Sequence, residues 1–274
     1  MRILALDTSG TSASAALMDE YIILAESSVT LANLRGLGHK NTVSCCLNPH
    51  FKQNEMRAKT HSETLMPMVN SIFEITGMTL SDADYIACTC GPGSFTGLRI
   101  GAATAKGLAF AAQKPLIAVP TLDAMAYTVT NLAVPGTWVI PMMDARREQA
   151  YSAFYHVSED LLVHRTTDYL ADTVHDLLGI LKGQISKGCH IIFLGDGASV
   201  NQDRIRSEAW PAGITVGFAP PCHNRPQAAC VGAQALNIIK NKYPVSTDES
   251  EFSLLYIRKP QAQREREAKQ KCSV

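Results

Sequence analysis

The sequence lacks any apolar run that could cross a membrane, because none approaches the roughly 18 residues that a bilayer-spanning helix needs. Its first apolar segment, residues 3–6, is followed at once by Asp7 and is too short for the core of a signal peptide. The eight cysteines include no Cys-x-x-Cys pair, and Cys88 and Cys90 lie in an apolar segment. These absences favour a cytoplasmic protein with reduced thiols over a membrane protein or a disulfide-bonded one.

An excess of charge is also missing, since 25 lysines and arginines balance 25 aspartates and glutamates. A chain without net charge has no basic field that would draw nucleic acid or an anionic membrane to it. The 274 residues are 46% apolar and 18% charged, which is typical of a globular protein with one large or two modest domains. We therefore expect no membrane contact, and contact with nucleic acid only through partners.

The apolar segments of the chain occur twice in the same order, which indicates an internal duplication. Each copy has three short strands, a helix, a strand and a second helix, and its first strand ends in an aspartate, Asp7 or Asp144. The first copy is predicted at 3–7, 12–18, 21–28, 61–76, 85–90 and 97–112, followed by a strand at 116–119 and a further helix. The second copy is predicted at 138–144, 149–156, 161–167, 172–182, 190–194 and 198–206.

Two ββ(β)αβα units in tandem are the architecture of actin, sugar kinases and heat-shock ATPases. The predicted fold class is therefore α/β, with a duplicated actin-like fold. We place the N-terminal domain at 1–118, with an insertion at 31–58, and the C-terminal domain at 119–274, with a charged tail.

Actin-like proteins bind ATP through glycine-containing loops, and two of these loops are altered here. Residues 7–11 read Asp-Thr-Ser-Gly-Thr, with Ser9 where a glycine normally lets the backbone approach phosphate. Residues 144–148 read Asp-Ala-Arg-Arg-Glu and contain no glycine, whereas residues 194–198 keep the glycines of the adenosine-side turn. We therefore predict a degenerate nucleotide cleft with no catalytic residue, in which the remnants set turns and form hydrogen bonds. The predicted remnants are Asp7, Thr8, Ser9, Gly93, Asp144 and Arg146.

The glycine-rich run at 91–101, Gly-Pro-Gly-Ser-Phe-Thr-Gly-Leu-Arg-Ile-Gly, joins a strand to a helix. Such a turn can present backbone N–H groups to an anion, or it can bring a strand and a helix very close together. Because the nucleotide loops are altered, we favour the second interpretation, in which the glycines let the strand and the helix pack closely. Ser94 is not a nucleophile of the Gly-x-Ser-x-Gly type, since Thr96 stands where the second glycine belongs, and Ser94 or Thr96 is expected to cap the helix instead.

His61 begins the first predicted helix, and Thr60 and Glu63 around it have the spacing of a capping box. A helix-borne metal site needs a second ligand four residues later, where this chain has Leu65. The sequence therefore predicts no metal site.

The helices at 61–76 and 97–112 carry more apolar surface than one contact face requires. The first is apolar on nearly all sides, and the second repeats a small residue every four positions. Packing within the chain is one interpretation, and a protein–protein interface is the one we favour. The predicted interface residues are His61, Leu65, Met68, Val69, Ile72, Gly97, Leu98, Gly101 and Ala105.

Several of these motifs occur in one order that closely resembles the bacterial TsaB (YeaZ) family of tRNA threonylcarbamoyladenosine biosynthesis proteins. They are Leu-Asp-Thr-Ser at 6–9, Thr-His-Ser-Glu-Thr-Leu-Met-Pro at 60–67, the run at 91–101, Asp-Ala-Arg-Arg at 144–147 with Tyr151, and Tyr-Ile-Arg at 256–258. The insertion at 31–58, which has an excess of basic side chains, departs from the family pattern. We expect it to be a surface excursion with at most a weak contact to tRNA.

The resemblance implies a catalytically inert relative of TsaD, the subunit that transfers a threonylcarbamoyl group to adenosine 37 of tRNAs that read ANN codons. It also implies pairing with TsaD through the first-domain helices, recruitment of the ATPase TsaE, and a possible homodimer in isolation. No cofactor is expected in the chain itself, with ATP or ADP bound only within the complex. The alternative is an autonomous ATP-dependent small-molecule kinase of the same fold, and the missing histidine pair argues against an older glycoprotease label.

Overall fold

The computed structural model describes residues 1–30, 60–129, 133–241 and 251–258. The predicted insertion at 31–58 and the charged run at 264–271 lie outside these ranges. Within them, no helix combines the length and the apolar content needed to cross a membrane.

The first sheet contains five strands: β1 (Ile3–Asp7), β2 (Ser12–Met18), β3 (Ile23–Thr30), β4 (Tyr85–Gly91) and β5 (Leu116–Pro120). Their order is β3-β2-β1-β4-β5. β1, β2 and β3 form an antiparallel meander, and β4 and β5 extend the sheet in parallel to β1. β1 and β2 are buried over their whole length because both faces of the sheet are covered.

Three helices follow the strands of this half: α1 (His61–Thr76), α2 (Phe95–Ala112) and α3 (Thr121–Tyr127). α1 and α2 lie on one face of the first sheet, where Leu65, Val69 and Ile72 of α1 and Ala105 of α2 join its core. α3 packs elsewhere, with Met125 in a cluster that contains residues of the second sheet. This short helix therefore connects the two halves.

The second sheet has seven strands: β6 (Trp138–Asp144), β7 (Gln149–Ser152), β8 (Tyr155–Val157), β9 (Val163–Arg165), β10 (Leu170–Thr173), β11 (His190–Leu194) and β12 (Thr215–Phe218). Five of them follow the order β10-β7-β6-β11-β12, which repeats the plan of the first sheet. The duplicated actin-like α/β fold predicted from the sequence is therefore confirmed.

The second meander differs in detail from the prediction. The strand expected at 149–156 is divided into β7 and β8, and between them the Phe154 N–H donates to Thr167 Oγ1 at 3.0 Å. The segment expected at 161–167 contains only β9, which pairs with β8. The third position of the meander belongs instead to β10, which pairs with β7.

The described part of the second half contains the helices α4 (Val174–Lys182), α5 (Asp196–Val200), α6 (Gln202–Ser207) and α7 (Ala228–Lys240). α4, α5 and α6 share a core with the second sheet, whereas Val231 and Ala235 of α7 pack against the first. The predicted boundary between residues 118 and 119 falls inside β5, and part of the predicted C-terminal domain returns to the first sheet. How the chain divides into domains stays a prediction.

Candidate functional site

In the first altered loop, residues 7–11, Ser9 replaces a glycine and forms hydrogen bonds that fix the turn. Asp7 is fully buried at the end of β1, and its Oδ1 accepts hydrogen bonds from the Ser9 N–H at 3.1 Å and the Ser9 Oγ at 2.6 Å. Thr89 Oγ1 donates to the same oxygen at 2.9 Å. Burial raises the pKa of Asp7, and these hydrogen bonds oppose the shift. Ser9 therefore fixes the turn around the carboxylate.

The glycines of the 91–101 run allow α2 to touch this loop directly. A Cβ at Gly93 would overlap the Ser9 carbonyl oxygen, and one at Gly97 or Gly101 would overlap Thr8. Thr8 Oγ1 donates to the Gly97 carbonyl at 2.8 Å. The prediction that these glycines serve close packing is confirmed.

Two backbone donors at the start of α2 are taken by the chain itself. The Ser94 N–H donates to the Ser9 carbonyl at 2.6 Å. The Gly97 N–H donates to Ser94 Oγ at 3.2 Å, so Ser94 is the N-cap that the sequence predicts. In a phosphate-binding turn such donors would point to the ligand.

The second altered loop is a tight turn without glycine. Asp144 Oδ1 accepts a hydrogen bond from the Arg146 N–H at 2.8 Å. Arg146, Arg147 and Glu148 all have left-handed φ values, of 62°, 54° and 58°, which are costly for residues with a side chain. The turn thus brings Asp144 and Arg146 together, mainly through the backbone.

The adenosine-side turn packs against this loop. Its Gly195 has a φ of 100°, and a Cβ at Gly195 would overlap the Met142 carbonyl oxygen of β6. Asp196 Oδ1 accepts from the Asp144 N–H at 3.0 Å, and burial raises the pKa of Asp196. Asp196 was not predicted as a site residue from the sequence, although it follows the first glycine of the recognised turn.

His61 takes part in the local structure of the cleft. Its Nε2 lies 3.2 Å from the Gly10 carbonyl oxygen. The neighbouring Thr60 N–H donates to Glu63 Oε2 at 2.7 Å, which completes the predicted capping box. Among the described residues, no group of three histidine, cysteine, aspartate or glutamate side chains is placed to hold a metal.

Most of the residues predicted to form an interface are buried in the single chain, so that prediction is wrong for them. Their side chains are no more than 8% exposed in the single chain, because α1 and α2 turn them toward the first sheet and each other. Gly97 and Gly101 are likewise buried against the loop at 7–10. These positions belong to the core of the chain, and only His61 is partly accessible. The buried side chains are Leu65, Met68, Val69, Ile72, Leu98 and Ala105.

Other large apolar residues are accessible on α1, on α2 and in the segment 251–258, and they were missed from the sequence. Phe110 could have been found as an apolar position opposite the small-residue repeat of α2. We call this set the helix surface, and it consists of Met66 (37% exposed), Ile75 (53%), Phe95 (39%), Phe110 (73%) and Tyr256 (42%).

One end of the helix surface is an ordered aromatic cluster. The Phe95 and Tyr256 rings lie 5.6 Å apart, and the Arg99 guanidinium lies 3.9 Å from the centre of the Phe95 ring. Arg99 Nε also donates to the Tyr256 hydroxyl at 3.3 Å. The C-terminal segment 251–258 thereby joins α2 at the accessible surface.

The fold and the two altered loops, at 7–11 and 144–148, define an actin-like protein with an altered nucleotide cleft. The sequence model of the family described as TsaD, tRNA N6-adenosine threonylcarbamoyltransferase, matches residues 53–265. The tRNA threonylcarbamoyladenosine biosynthesis protein TsaB of Escherichia coli K12 is 33% identical over 187 residues, covering 67% of this chain and 69% of that protein. Bacillus subtilis TsaB is 30% identical over 226 residues, covering 82% and 84%. The chain belongs to the TsaB family.

A solved structure shows the same fold. YeaZ from Pseudomonas aeruginosa superimposes with a TM-score of 0.67 over 93% of this chain and 99% of that one, at 22% identity.

Proposed function

We propose that this chain acts in tRNA threonylcarbamoyladenosine biosynthesis as a non-catalytic subunit that binds and activates a TsaD-type transferase. The transferase, and not this chain, would modify adenosine 37 of ANN-decoding tRNAs. The chain would also help to recruit a TsaE-type ATPase, and it would touch tRNA only within the complex. The observation that carries this proposal is the pair of altered nucleotide loops in a chain whose relatives are named for this biosynthesis.

The altered loops support the non-catalytic part of the proposal. Ser9 and the glycines of α2 use the first loop for internal hydrogen bonds and packing. Arg146 and Arg147 occupy a turn where the fold normally places small residues beside phosphate. A chain with such loops is better suited to bind a partner protein than to catalyse a reaction on a nucleotide.

The helix surface supports the partner-binding part. Exposed large apolar side chains are often found at protein interaction sites, and Phe95, Phe110 and Tyr256 are such residues on or beside α2. Phe110, the most exposed of them, projects from the last turn of α2. Arg99 and Tyr256 are of the residue types that often dominate binding energy at interfaces.

A matched pair of substitutions tests the proposed surface. Phe110 on α2 and Val200 on α5 are both 73% exposed, but only Phe110 belongs to the helix surface. Each is replaced by glutamate in the full chain, which is then co-expressed with a TsaD-type transferase and examined by size-exclusion chromatography. Phe110→Glu should abolish co-elution, because an unpaired charge buried at an interface typically costs several kcal/mol.

Val200→Glu should co-elute like the wild type, and circular dichroism should show both variants folded. Co-elution of a folded Phe110→Glu variant would overturn the placement of the interface. Failure of the wild-type chain to bind the transferase, or to stimulate its modification of tRNA, would overturn the proposed function itself.

A further inference from the structure

A polar groove of about 670 Å³ lies between the second half of the molecule and the end of β3. Two arginines, Arg206 from α6 and Arg225 from the segment before α7, line this groove. Phe218, Gln202, Ser199 and Asn224 line it as well. None of these residues belongs to the altered loops or to the helix surface.

Arg206 is supported in the groove by neutral neighbours. Its guanidinium lies 5.3 Å from the centre of the Phe218 ring. With the Gln202 amide oriented to satisfy both groups, its oxygen accepts from Arg206 Nη2 at 2.8 Å and from Nε at 3.2 Å. These contacts orient the guanidinium without neutralising its charge.

Arg225 is held in the same manner by β3. Its Nη1 donates to Thr30 Oγ1 at 2.8 Å and its Nη2 to Ser28 Oγ at 3.3 Å. Both acceptors are hydroxyl groups of β3, so neutral partners position the side chain. Glu26 of the same strand also attracts the Arg225 charge, without forming an ion pair with it. Among the described residues, no carboxylate forms an ion pair with Arg206 or Arg225.

Asn224, which also lines the groove, fixes the segment next to Arg225. Its Oδ1 accepts from the Gly195 N–H at 2.5 Å, and its Nδ2 is hydrogen-bonded to Ser199 Oγ. These bonds tie the segment before α7 to the turn before α5. The two cationic side chains are therefore presented by fixed parts of the fold.

We propose that this groove binds the phosphate group of a nucleotide, with Arg206 and Arg225 as its two cationic ligands. Guanidinium groups match the geometry of phosphate oxygens and remain charged at any physiological pH. Recognition through side chains would replace recognition through glycine loops, so the inference goes beyond the proposed function. Binding of RNA by the isolated chain would add a contact that the proposed function places only within the complex. The phosphate could belong to a free nucleotide or to an RNA strand, since both offer the same chemistry.

The test is isothermal titration calorimetry of the full chain with three probes. AMP and adenosine differ only by the phosphate, and an oligoadenylate without terminal phosphates offers phosphodiesters alone. AMP or the oligoadenylate should bind, and adenosine should bind at least ten times more weakly. Binding of AMP would identify a free nucleotide as the source, and binding of the oligoadenylate alone would identify RNA.

Matched variants assign the binding to the groove. Arg206→Gln and Arg225→Gln should each weaken binding at least tenfold. Arg204→Gln is the control, since Arg204 lies on the same helix but its guanidinium is 3.8 Å from Glu148, in the turn after β6. It should bind within twofold of the wild type.

Thermal unfolding establishes that each variant is folded. Among the described residues, Arg206 bonds to Gln202 of its own helix and not to the first sheet, so Arg206→Gln carries the test if Arg225→Gln fails to fold. Absence of binding by both phosphate-bearing probes would overturn the inference. Undiminished binding in the folded Arg206→Gln variant would overturn it equally.

Discussion

Asp123 on α3 accepts a hydrogen bond from the Tyr155 hydroxyl of β8 at 2.5 Å, which joins the helix after the first sheet to a strand of the second. The Tyr169 hydroxyl donates to the other carboxylate oxygen at 2.9 Å, and the Arg165 guanidinium lies 4.0 Å from the centre of the Tyr169 ring. Desolvation raises the pKa of Asp123, and the two hydroxyl groups oppose that shift. The two halves are therefore connected by a polar contact in addition to apolar packing.

Removal of the Tyr155 hydroxyl should destabilise the protein. In Tyr155→Phe the Asp123 carboxylate loses one of its two phenolic donors in a largely desolvated place, at a cost of about 1–3 kcal/mol. Tyr169→Phe is the comparison, and its effect should be smaller because Tyr169 is more accessible than Tyr155. Urea unfolding of the three proteins measures both costs. Equal stability of Tyr155→Phe and the wild type would show that this contact contributes nothing.

Replacement by alanine should lower the stability of the protein at one glycine of α2 and raise it at another. Gly97→Ala places a Cβ on the Thr8 carbonyl oxygen and should cost about 1–3 kcal/mol or more. Gly107→Ala meets no atom within 4 Å and should gain about 0.5–1 kcal/mol through helix propensity. The free energies of unfolding from urea titration give both values. A neutral Gly97→Ala would mean that the helix can move away from the loop.

The features predicted correctly from the sequence are those that depend on neighbouring residues. The Thr60–Glu63 capping box and the Ser94 cap follow from spacings of three residues, and β1 follows from a short apolar run. Glycines at 93 and 97 could be assigned to close packing because the loops that might have used them for phosphate lacked the required residues.

The features that were missed depend on distant parts of the chain. The third strand of the second meander is β10 and not β9, a choice made by pairing with β7. An apolar pattern also cannot tell which side of a helix meets its own sheet. Met68 and Ala105 were therefore predicted at an interface although they lie in the core, while Phe110 was overlooked.

A charge on the buried side of α2 should affect folding, whereas a charge on its accessible side should not. Ala105 is 0% exposed, so Ala105→Glu should prevent folding, because a buried carboxylate without a partner costs several kcal/mol. Ala103 lies two residues earlier on the accessible side, and Ala103→Glu should fold normally. Circular dichroism and thermal unfolding distinguish the two. A folded Ala105→Glu variant would return this position to the list of interface candidates.

The purified chain should not hydrolyse ATP or phosphorylate small molecules in sustained turnover. Ser9 fills the place of a loop glycine, and the second loop has Arg146 and Arg147 in place of small residues. A coupled assay for ADP release measures this activity, with Asp7→Ala as the control for a contaminating enzyme. Turnover that survives purification and disappears in Asp7→Ala would favour the kinase alternative over a non-catalytic subunit.

The stability of the protein should depend on pH through Asp7. Its pKa is raised above the usual 3.8 in the folded state by burial, so the folded chain keeps a proton that the unfolded chain has already lost. The stabilisation is present below the usual pKa and is lost as the pH rises through the folded value. The loss amounts to about 1.4 kcal/mol for each unit of the shift.

Asp7→Asn is the matched variant, since it keeps an acceptor oxygen for Ser9 and Thr89 but does not titrate. As the pH rises above the usual pKa of 3.8, the wild type should lose stability relative to Asp7→Asn, as measured by urea unfolding at each pH. Asp123 and Asp196, whose pKa values are also raised, are present in both proteins and cancel in the difference. A difference that stays constant as the pH rises would show that Asp7 is ionised in the folded protein, with its unpartnered Oδ2 tolerated as a buried charge.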